Sequence, residues 1–439
     1  MFGITNKLFF KKLYYSQIQR LKNQLYISAS TNNISEQNVL SKHSLINNKS
    51  ELYKYLYFKI KLSGPISVAN YMKQVLTHPT NGYYMNKDVF GEKGDYITSP
   101  EISQLFGEMI SVWIINEYKK IHNKPFQLVE LGPGRGTLIK DILRIFHQFG
   151  MCDQLSLHLI EVSPFLSEIQ EKNLCLSNVQ KNDPSSLGKH YKTGVTADNV
   201  KVFWYKSIFD IPKGFSIFIA HEFFDVLPIQ KFQKTKDGWF EILVDIDETD
   251  KNNEKFRFIL SKTLSCDRIR TKNEQRDHIE FSLEAMLIIQ NISSVITENG
   301  GFALIIDYGH NGDKTDTFRA FRQHQQCDPL LKPGTADLTA DVDFAFLKQA
   351  ALESNKVLCF GPVNQNDFLK ELCIDIRLLN LFKNSSIEQK KQLELGYNKI
   401  MDPKGMGTCF KVVSMFPYVL KDYFEKFPVH GFQSYVTKK

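Results

Sequence analysis

Residues 128–136 read Leu-Val-Glu-Leu-Gly-Pro-Gly-Arg-Gly, and no other stretch restricts the possible folds so strongly. Leu128, Val129 and Leu131 form the apolar run of a buried parallel strand. Gly132, Gly134 and Gly136 let the backbone turn sharply and approach a ligand without an intervening Cβ. Thr137 to Phe149 then places Leu138, Ile139, Ile142, Leu143, Ile145 and Phe146 at mixed three- and four-residue spacing, which predicts a helix. Strand, glycine turn and helix together predict a nucleotide-type pocket in an α/β fold.

The glycine spacing narrows the ligand. A dinucleotide fingerprint, G-x-G-x-x-G, aims a helix N-terminus at a pyrophosphate. Here the pattern is E-x-G-x-G-x-G. A carboxylate at Glu130 repels phosphate but accepts hydrogen bonds from an amino group, directly or through water. A nucleoside cofactor carrying a cationic amino acid meets those demands, and S-adenosyl-L-methionine is one. Downstream, Leu155 to Ile160 alternates like a strand and ends at Glu161, 31 positions after Glu130. An acid there is placed to take both ribose hydroxyls. A solvent-facing glutamate is the other reading, but the helix start at Ser163-Pro164 favours the ribose role.

The formal charge of +7 suggests a nucleic-acid partner until it is located along the chain. Residues 1–35 hold five of the 55 basic residues and no acidic one, which leaves 50 basic against 48 acidic residues, a net of +2. Phe10, Tyr14, Ile18, Leu21 and Leu25 share one helical face, with Lys7, Lys11 and Lys22 on or near the other. A basic, acid-free, amphipathic start followed by polar residues reads as a mitochondrial presequence over 1–35. The remainder gives no electrostatic argument for nucleic acid. Seven scattered cysteines without a C-x-x-C pair point to free thiols in a reducing compartment and to no metal site. No 18-residue apolar run predicts a transmembrane helix.

With 439 residues, 42% of them hydrophobic, the chain is long enough to bury one large core or two linked ones. A polar linker is expected over 36–52, a helical region over 53–122 with a break at Gly64-Pro65, and a core over 123–415. Within 99–121, Ser99 is read as N-cap and Pro100 as first helical residue. Further strands are expected at 201–205, 216–220 and 301–306, giving a mainly parallel sheet. A β-hairpin is expected to be inserted at 239–262, a mainly helical addition at 335–400 and a tail at 416–439. The tail's Phe416, Tyr418, Tyr423, Phe424, Phe427 and Phe432 suit either a partner surface or core.

Acidic candidates gather at strand ends. Ile217 to Ala220 runs into His221-Glu222-Phe223-Phe224-Asp225, and in open α/β sheets the carboxyl end of a strand borders the ligand crevice. Two carboxylates and an imidazole suit holding a cationic nucleophile and taking its proton. The alternative is helix capping, with Asp225 the natural cap. At the next strand end, Tyr308 and His310 are acceptor-site candidates, although turn chemistry accounts for such residues equally well. Asp337, Asp341 and Asp343 stand close together without the ligand pattern of a calcium loop. They are either an acidic wall for a basic substrate or helix caps.

Residues 94–101, 130–136, 221–228, 307–310 and 334–343 together resemble the MidA family of mitochondrial and bacterial methyltransferases, over about residues 60 to 415. The resemblance implies a class I S-adenosylmethionine-dependent fold, a matrix location, and symmetric dimethylation of an arginine on a respiratory complex I subunit in support of that complex's assembly. It assigns Gly132, Gly134, Gly136 and Glu161 to the cofactor. The family often has asparagine where this chain has His221, and its adenine-reading acid has no clear counterpart here, Asp210 being a weak candidate. Two other functions stay open: a cofactor-binding assembly chaperone without essential catalysis, and a small-molecule methyltransferase.

Overall fold

The computed structural model describes residues 49–432, except 90, 92–93, 95–96, 177–178, 182–188, 250–254, 265–273 and 354–355. The presequence expected over 1–35 and most of the expected linker lie outside the described residues, as do Asp95 and Tyr96. Seven strands form the central sheet: β1 (Phe126–Leu131), β2 (Leu155–Ile160), β3 (Lys201–Tyr205), β4 (Ser216–His221), β5 (Gly301–His310), β6 (Val357–Asn364) and β7 (Phe410–Pro417). Their spatial order is β6-β7-β5-β4-β1-β2-β3, and short antiparallel strands extend the β3 edge. β1, β2, β3, β4 and β5 run parallel, and β7 is antiparallel to both of its neighbours. The order reverses between β1 and β4, so the crevice at their carboxyl ends is where such a sheet binds ligand.

Side chains of β1 alternate between two cores: Leu128 packs on one face, Val129 and Leu131 on the other. The first face is covered by α3 (Gln104–Ile121) and α4 (Thr137–Gln148), the second by α6 (Leu283–Asn299) and α7 (Phe344–Leu352); α5 (Pro164–Leu174) follows β2. Burial on both faces is why β1, β4 and β5 read as apolar runs rather than alternating ones. Ahead of this core stand α1 (Glu51–Ser63), capped by Ser50, and α2 (Val68–Thr77), capped by Ser67. They flank Gly64-Pro65, the break expected from sequence. α1 starts at Glu51, so the end of the expected linker is helical.

Three expectations change. Ser103, not Ser99, caps the long helix α3, accepting the Leu105 N–H at 3.3 Å; Ser99–Ile102 is a separate turn of helix with Pro100 near its start. The expected hairpin is present as Gly238–Ile246 paired with Phe256–Leu264, but it belongs to a five-stranded antiparallel sheet with Ile66–Ser67, Gln230–Thr235 and His278–Phe281. Residues 335–400 are not uniformly helical. They contain β6, whose Gly361-Pro362 pair reads as a turn in sequence and sits at a register shift in the strand.

Beyond β6 the helical addition comprises Gln365–Glu371, Ile374–Lys383 and Ile387–Met401. It is tied to the core where buried Glu108 on α3 receives Arg144 at 2.8 Å and Arg377 at 2.6 Å. The tail is folded onto the same core. Phe416, Phe424 and Phe432 are buried, and Trp113 on α3 donates its indole N–H to the His430 carbonyl at 3.0 Å. Tyr418 and Phe427 are exposed. Among the described residues no helix is long and apolar enough to cross a membrane.

Candidate active site

The glycine turn follows β1 directly. Gly132, Gly134 and Gly136 have φ of 65°, 54° and 78°, conformations open to glycine at little cost. The Gly132 N–H donates to the Ile160 carbonyl at 3.1 Å, pinning the turn to the end of β2. Glu161, the next residue, is buried. Its Oε1 accepts the Ser163 N–H at 2.7 Å and its Oε2 the Gln170 amide at 2.9 Å. The same Gln170 Nε2 donates to the Gly134 carbonyl at 2.7 Å, and Gln170 Oε1 accepts the Trp204 indole N–H at 2.9 Å. Gln170 therefore locks the acid and the glycine turn together. Nothing in its sequence context, mid-helix on α5, announces that role.

Glu130 is buried at the foot of the same pocket, and its Oε2 has no hydrogen-bond partner among the described residues. Burial, then the neighbouring Glu161 carboxylate, push Glu130 up to about 8; burial raises Glu161 to about 7. Two buried carboxyls without a cationic partner are costly when ionised. A ligand bearing an ammonium and a sulfonium relieves that cost, and ribose hydroxyls suit the remaining lone pairs of Glu161. The residues present thus fit S-adenosyl-L-methionine.

A second acidic group lies at the carboxyl end of β4. The chain leaves the strand through Glu222, whose φ of 51° is unusual for a residue with a side chain. Glu222 donates its N–H to the Ile306 carbonyl at 3.0 Å, and its Oε1 accepts the Ser99 N–H at 3.3 Å. Burial, reinforced by Asp225, holds Glu222 well above the usual carboxylate range. Asp225 is buried. Its Oδ2 accepts the Tyr308 phenol and, at 2.8 Å, the Thr339 hydroxyl, while its Oδ1 has no partner among the described residues. Asp225 is therefore a side-chain acceptor rather than a helix cap. The backbone of this turn is held instead by Asp307.

His221 is buried with Phe106 and Phe410 as ring neighbours, and burial lowers it to about 3. Its Nε2 lies 3.3 Å from Glu222 Oε1 without hydrogen-bond alignment. Burial thus makes the imidazole a weak proton acceptor, which suits a neutral polar neighbour of Glu222 better than a general base.

The other acceptor candidates divide. Tyr308 joins the Asp225 cluster, with the Arg319 guanidinium 5.3 Å from its ring centre. Asp337 is buried, accepts the Tyr84 phenol at 2.7 Å and adds to the repulsion that raises Glu222. His310 turns away into its own loop, where Nδ1 accepts the N–H groups of Gly312 at 3.1 Å and Lys314 at 3.2 Å. Asp341 is paired with Lys314 at 2.6 Å and Arg319 at 2.7 Å. Asp343 caps α7 and pairs with Arg276 at 3.1 Å. Those two acids are internal partners rather than a wall facing substrate. Asp210 pairs with Lys189 at 3.2 Å.

Of the cysteines, Cys152, Cys175, Cys327, Cys359, Cys373 and Cys409 are free. One possible metal-ligand group occurs among the described residues: His147, Cys152 and Asp198 place ligand atoms within 4.8 Å of one another. Its His147 is largely exposed and already paired with Asp198 at 2.8 Å.

Comparison with known proteins agrees with this geometry. The Xenopus laevis protein arginine methyltransferase NDUFAF7, mitochondrial, is 50% identical over 84% of this chain and 84% of its own length. The human protein of that name is 48% identical over 84% of this chain and 83% of its own, and the Drosophila melanogaster homologue 46% over 87% and 88%. A crystal structure of a COG1565 superfamily member from Burkholderia thailandensis bound to S-adenosyl-homocysteine superposes with a TM-score of 0.68 at 21% identity. It covers 88% of this chain and 95% of that one, and it shares the fold. A family model for S-adenosyl-L-methionine-dependent methyltransferases matches residues 109–363. With a glycine turn at the switch point of its parallel sheet, and relatives along most of its length, the chain belongs to the S-adenosyl-L-methionine-dependent methyltransferases.

Proposed function

We propose that this methyltransferase acts on arginine in a protein substrate. Its setting is the mitochondrial matrix, and its product is symmetric dimethylarginine on a subunit of respiratory complex I, in support of that complex's assembly. The relatives' names as mitochondrial protein arginine methyltransferases support the acceptor type. The observation that carries the reading is the acidic turn: half-buried Glu222 and buried Asp225 at the strand end beside the glycine turn, with Asp225 Oδ1 lacking a partner among the described residues. Such a crevice is costly to form unless a cation enters it.

The cofactor, when bound, supplies an electrophilic sulfonium methyl. Free arginine is protonated at any physiological pH. Burial raises both Glu222 and Asp225, and an entering guanidinium favours their ionised forms by offsetting that desolvation. The paired carboxylates concentrate positive charge away from the nitrogen that reacts and aim that nitrogen along the line of transfer. As the new nitrogen–carbon bond forms and the sulfur–carbon bond breaks, a Glu222 carboxylate oxygen takes the proton released by nitrogen. The Ser99 N–H holds Glu222 in place, and the aromatic rings of Phe223 and Phe224 help keep water out, so the attraction between opposite charges stays strong.

The test is incubation of the purified chain with methyl-labelled S-adenosylmethionine and mitochondrial matrix extract, followed by mass spectrometry of labelled proteins. Label on an arginine of a complex I subunit is the expected result. Label confined to small molecules, or to lysine, would remove the proposal and leave the fold and cofactor intact.

A further inference from the structure

We infer that Asp307 is a positioning residue for the acceptor site: its one buried carboxylate fixes the backbone turn that carries both Glu222 and Asp225. The inference rests on the proposal that those two acids receive the acceptor cation.

Asp307 is fully buried on β5, beside the end of β4. The last paired position there is Ile306 opposite His221. Glu222 still reaches the Ile306 carbonyl, and then the chain turns away through φ 51°. At that point Asp307 Oδ2 accepts three successive N–H groups, from Phe223 at 3.1 Å, Phe224 at 2.9 Å and Asp225 at 3.4 Å. Its Oδ1 accepts the Tyr308 N–H at 2.9 Å. Consecutive N–H groups converging on one point form an anion-binding nest of the kind that elsewhere holds a phosphate. Here the acceptor is a carboxyl oxygen of the chain itself, and a left-handed residue is held in place by it.

The consequence reaches both acids. Glu222 immediately precedes the nest and Asp225 closes it, so their separation depends on the Asp307 contacts. Tyr308, the next residue, then binds the Asp225 side chain, as does Thr339, while the Ala340 N–H reaches the Asp225 carbonyl at 3.0 Å. Adjacent residues of β5 thus hold the backbone and the side chain of the same turn. Asp307 touches neither reactant. A glutamine or glutamate at this place would need an additional methylene in filled space, and an asparagine would present an NH₂ group to N–H donors on one side.

The experiment compares the full chain with Asp307→Asn and Glu222→Gln, measuring cofactor affinity, kcat and KM for the protein acceptor. For Asp307→Asn the expected result is cofactor affinity within threefold of the parent and kcat lowered at least 30-fold. Burial, then Asp225 and Glu222, hold Asp307 itself well above the usual carboxylate range, so the deciding readout is the split between constants: kcat falls and KM for the protein acceptor rises while cofactor affinity holds. A merely structural residue would lower cofactor affinity and kcat together. Parent-like kcat, or a parallel loss of kcat and cofactor affinity, would overturn the inference. If Glu222→Gln is also fully active, the acidic turn itself is misassigned; if only Asp307→Asn is active, the Asp307 inference alone fails. Should Asp307→Asn not fold, the α-hydroxy analogue of phenylalanine at position 224 deletes one donor and keeps every side chain. It is expected to lower kcat at least threefold with cofactor affinity retained, and unchanged kcat would overturn the inference.

Discussion

The side-chain amide of Gln170 donates to the Glu161 carboxylate over 2.9 Å and, from the same nitrogen, to the Gly134 carbonyl over 2.7 Å. One buried amide therefore couples Glu161 to the glycine turn beside it. Replacing it tests that coupling. Gln170→Leu is expected to weaken cofactor binding about tenfold, the scale of one buried hydrogen bond to a charged group, with kcat at saturation nearly unchanged. Unpairing the Trp204 indole should lower stability by about 1–3 kcal/mol. Titration calorimetry and denaturant unfolding read the two effects separately.

The glycine turn admits a controlled comparison. A Cβ on Gly132 would stand 2.8 Å from the Phe223 ring, whereas one on Gly150 meets nothing within 4 Å, and both glycines have positive φ, 65° and 63°. Each alanine variant carries about 1–2 kcal/mol of backbone strain. Only Gly132→Ala also displaces Phe223, the residue after Glu222. Methyl transfer is expected to fall at least tenfold in Gly132→Ala and to stay within twofold in Gly150→Ala. Equal losses in both would assign the effect to strain alone.

Buried acids in the cofactor pocket make the free protein's stability fall as pH rises. Glu130 and Glu161 are raised by burial to about 8 and about 7. For a carboxyl whose folded pKa is raised, the stabilisation is complete below the unfolded value, near 4.3, and is lost as pH climbs through the folded value. Thermal unfolding without cofactor should therefore show a decline in Tm between about pH 5 and 8. Bound cofactor, carrying positive charge, favours the ionised acids and should flatten that decline, with affinity increasing over the same interval. Glu130→Gln should lessen the pH dependence. A Tm profile for the free chain that climbs over this interval would contradict the assignment.

Much of this was legible in the chain itself because burial leaves local marks. β1 and β4 are covered on both faces, so each appears as a short apolar run, while β2 shows as an alternating one, and the carboxyl ends of the three point out Glu130, Glu161 and Glu222 without any alignment. β6 was missed because Gly361-Pro362 imitates a turn, and only the pairing with β7 makes the segment a strand. Gln170 was invisible for another reason, and Asp307 was legible only as turn chemistry beside Tyr308. Their partners are a carbonyl and backbone N–H groups brought together by tertiary structure, and the backbone has no sequence signature. Asp341 and Asp343 were the converse: their spacing suited a substrate wall or helix caps equally, and the structure makes Asp343 a cap while Lys314, Arg319 and Arg276, distant in sequence, pair with both acids.

The central claim is that the acidic turn, not the cofactor pocket, makes this methyltransferase select a cationic acceptor. Methyl transfer by Glu222→Gln, measured at saturating S-adenosylmethionine alongside cofactor affinity, tests it most directly. The account predicts cofactor affinity within threefold of the parent and transfer to protein arginine lowered about 100-fold or more, the scale of a lost acid–base and orienting group. Full transfer with intact cofactor binding would contradict it.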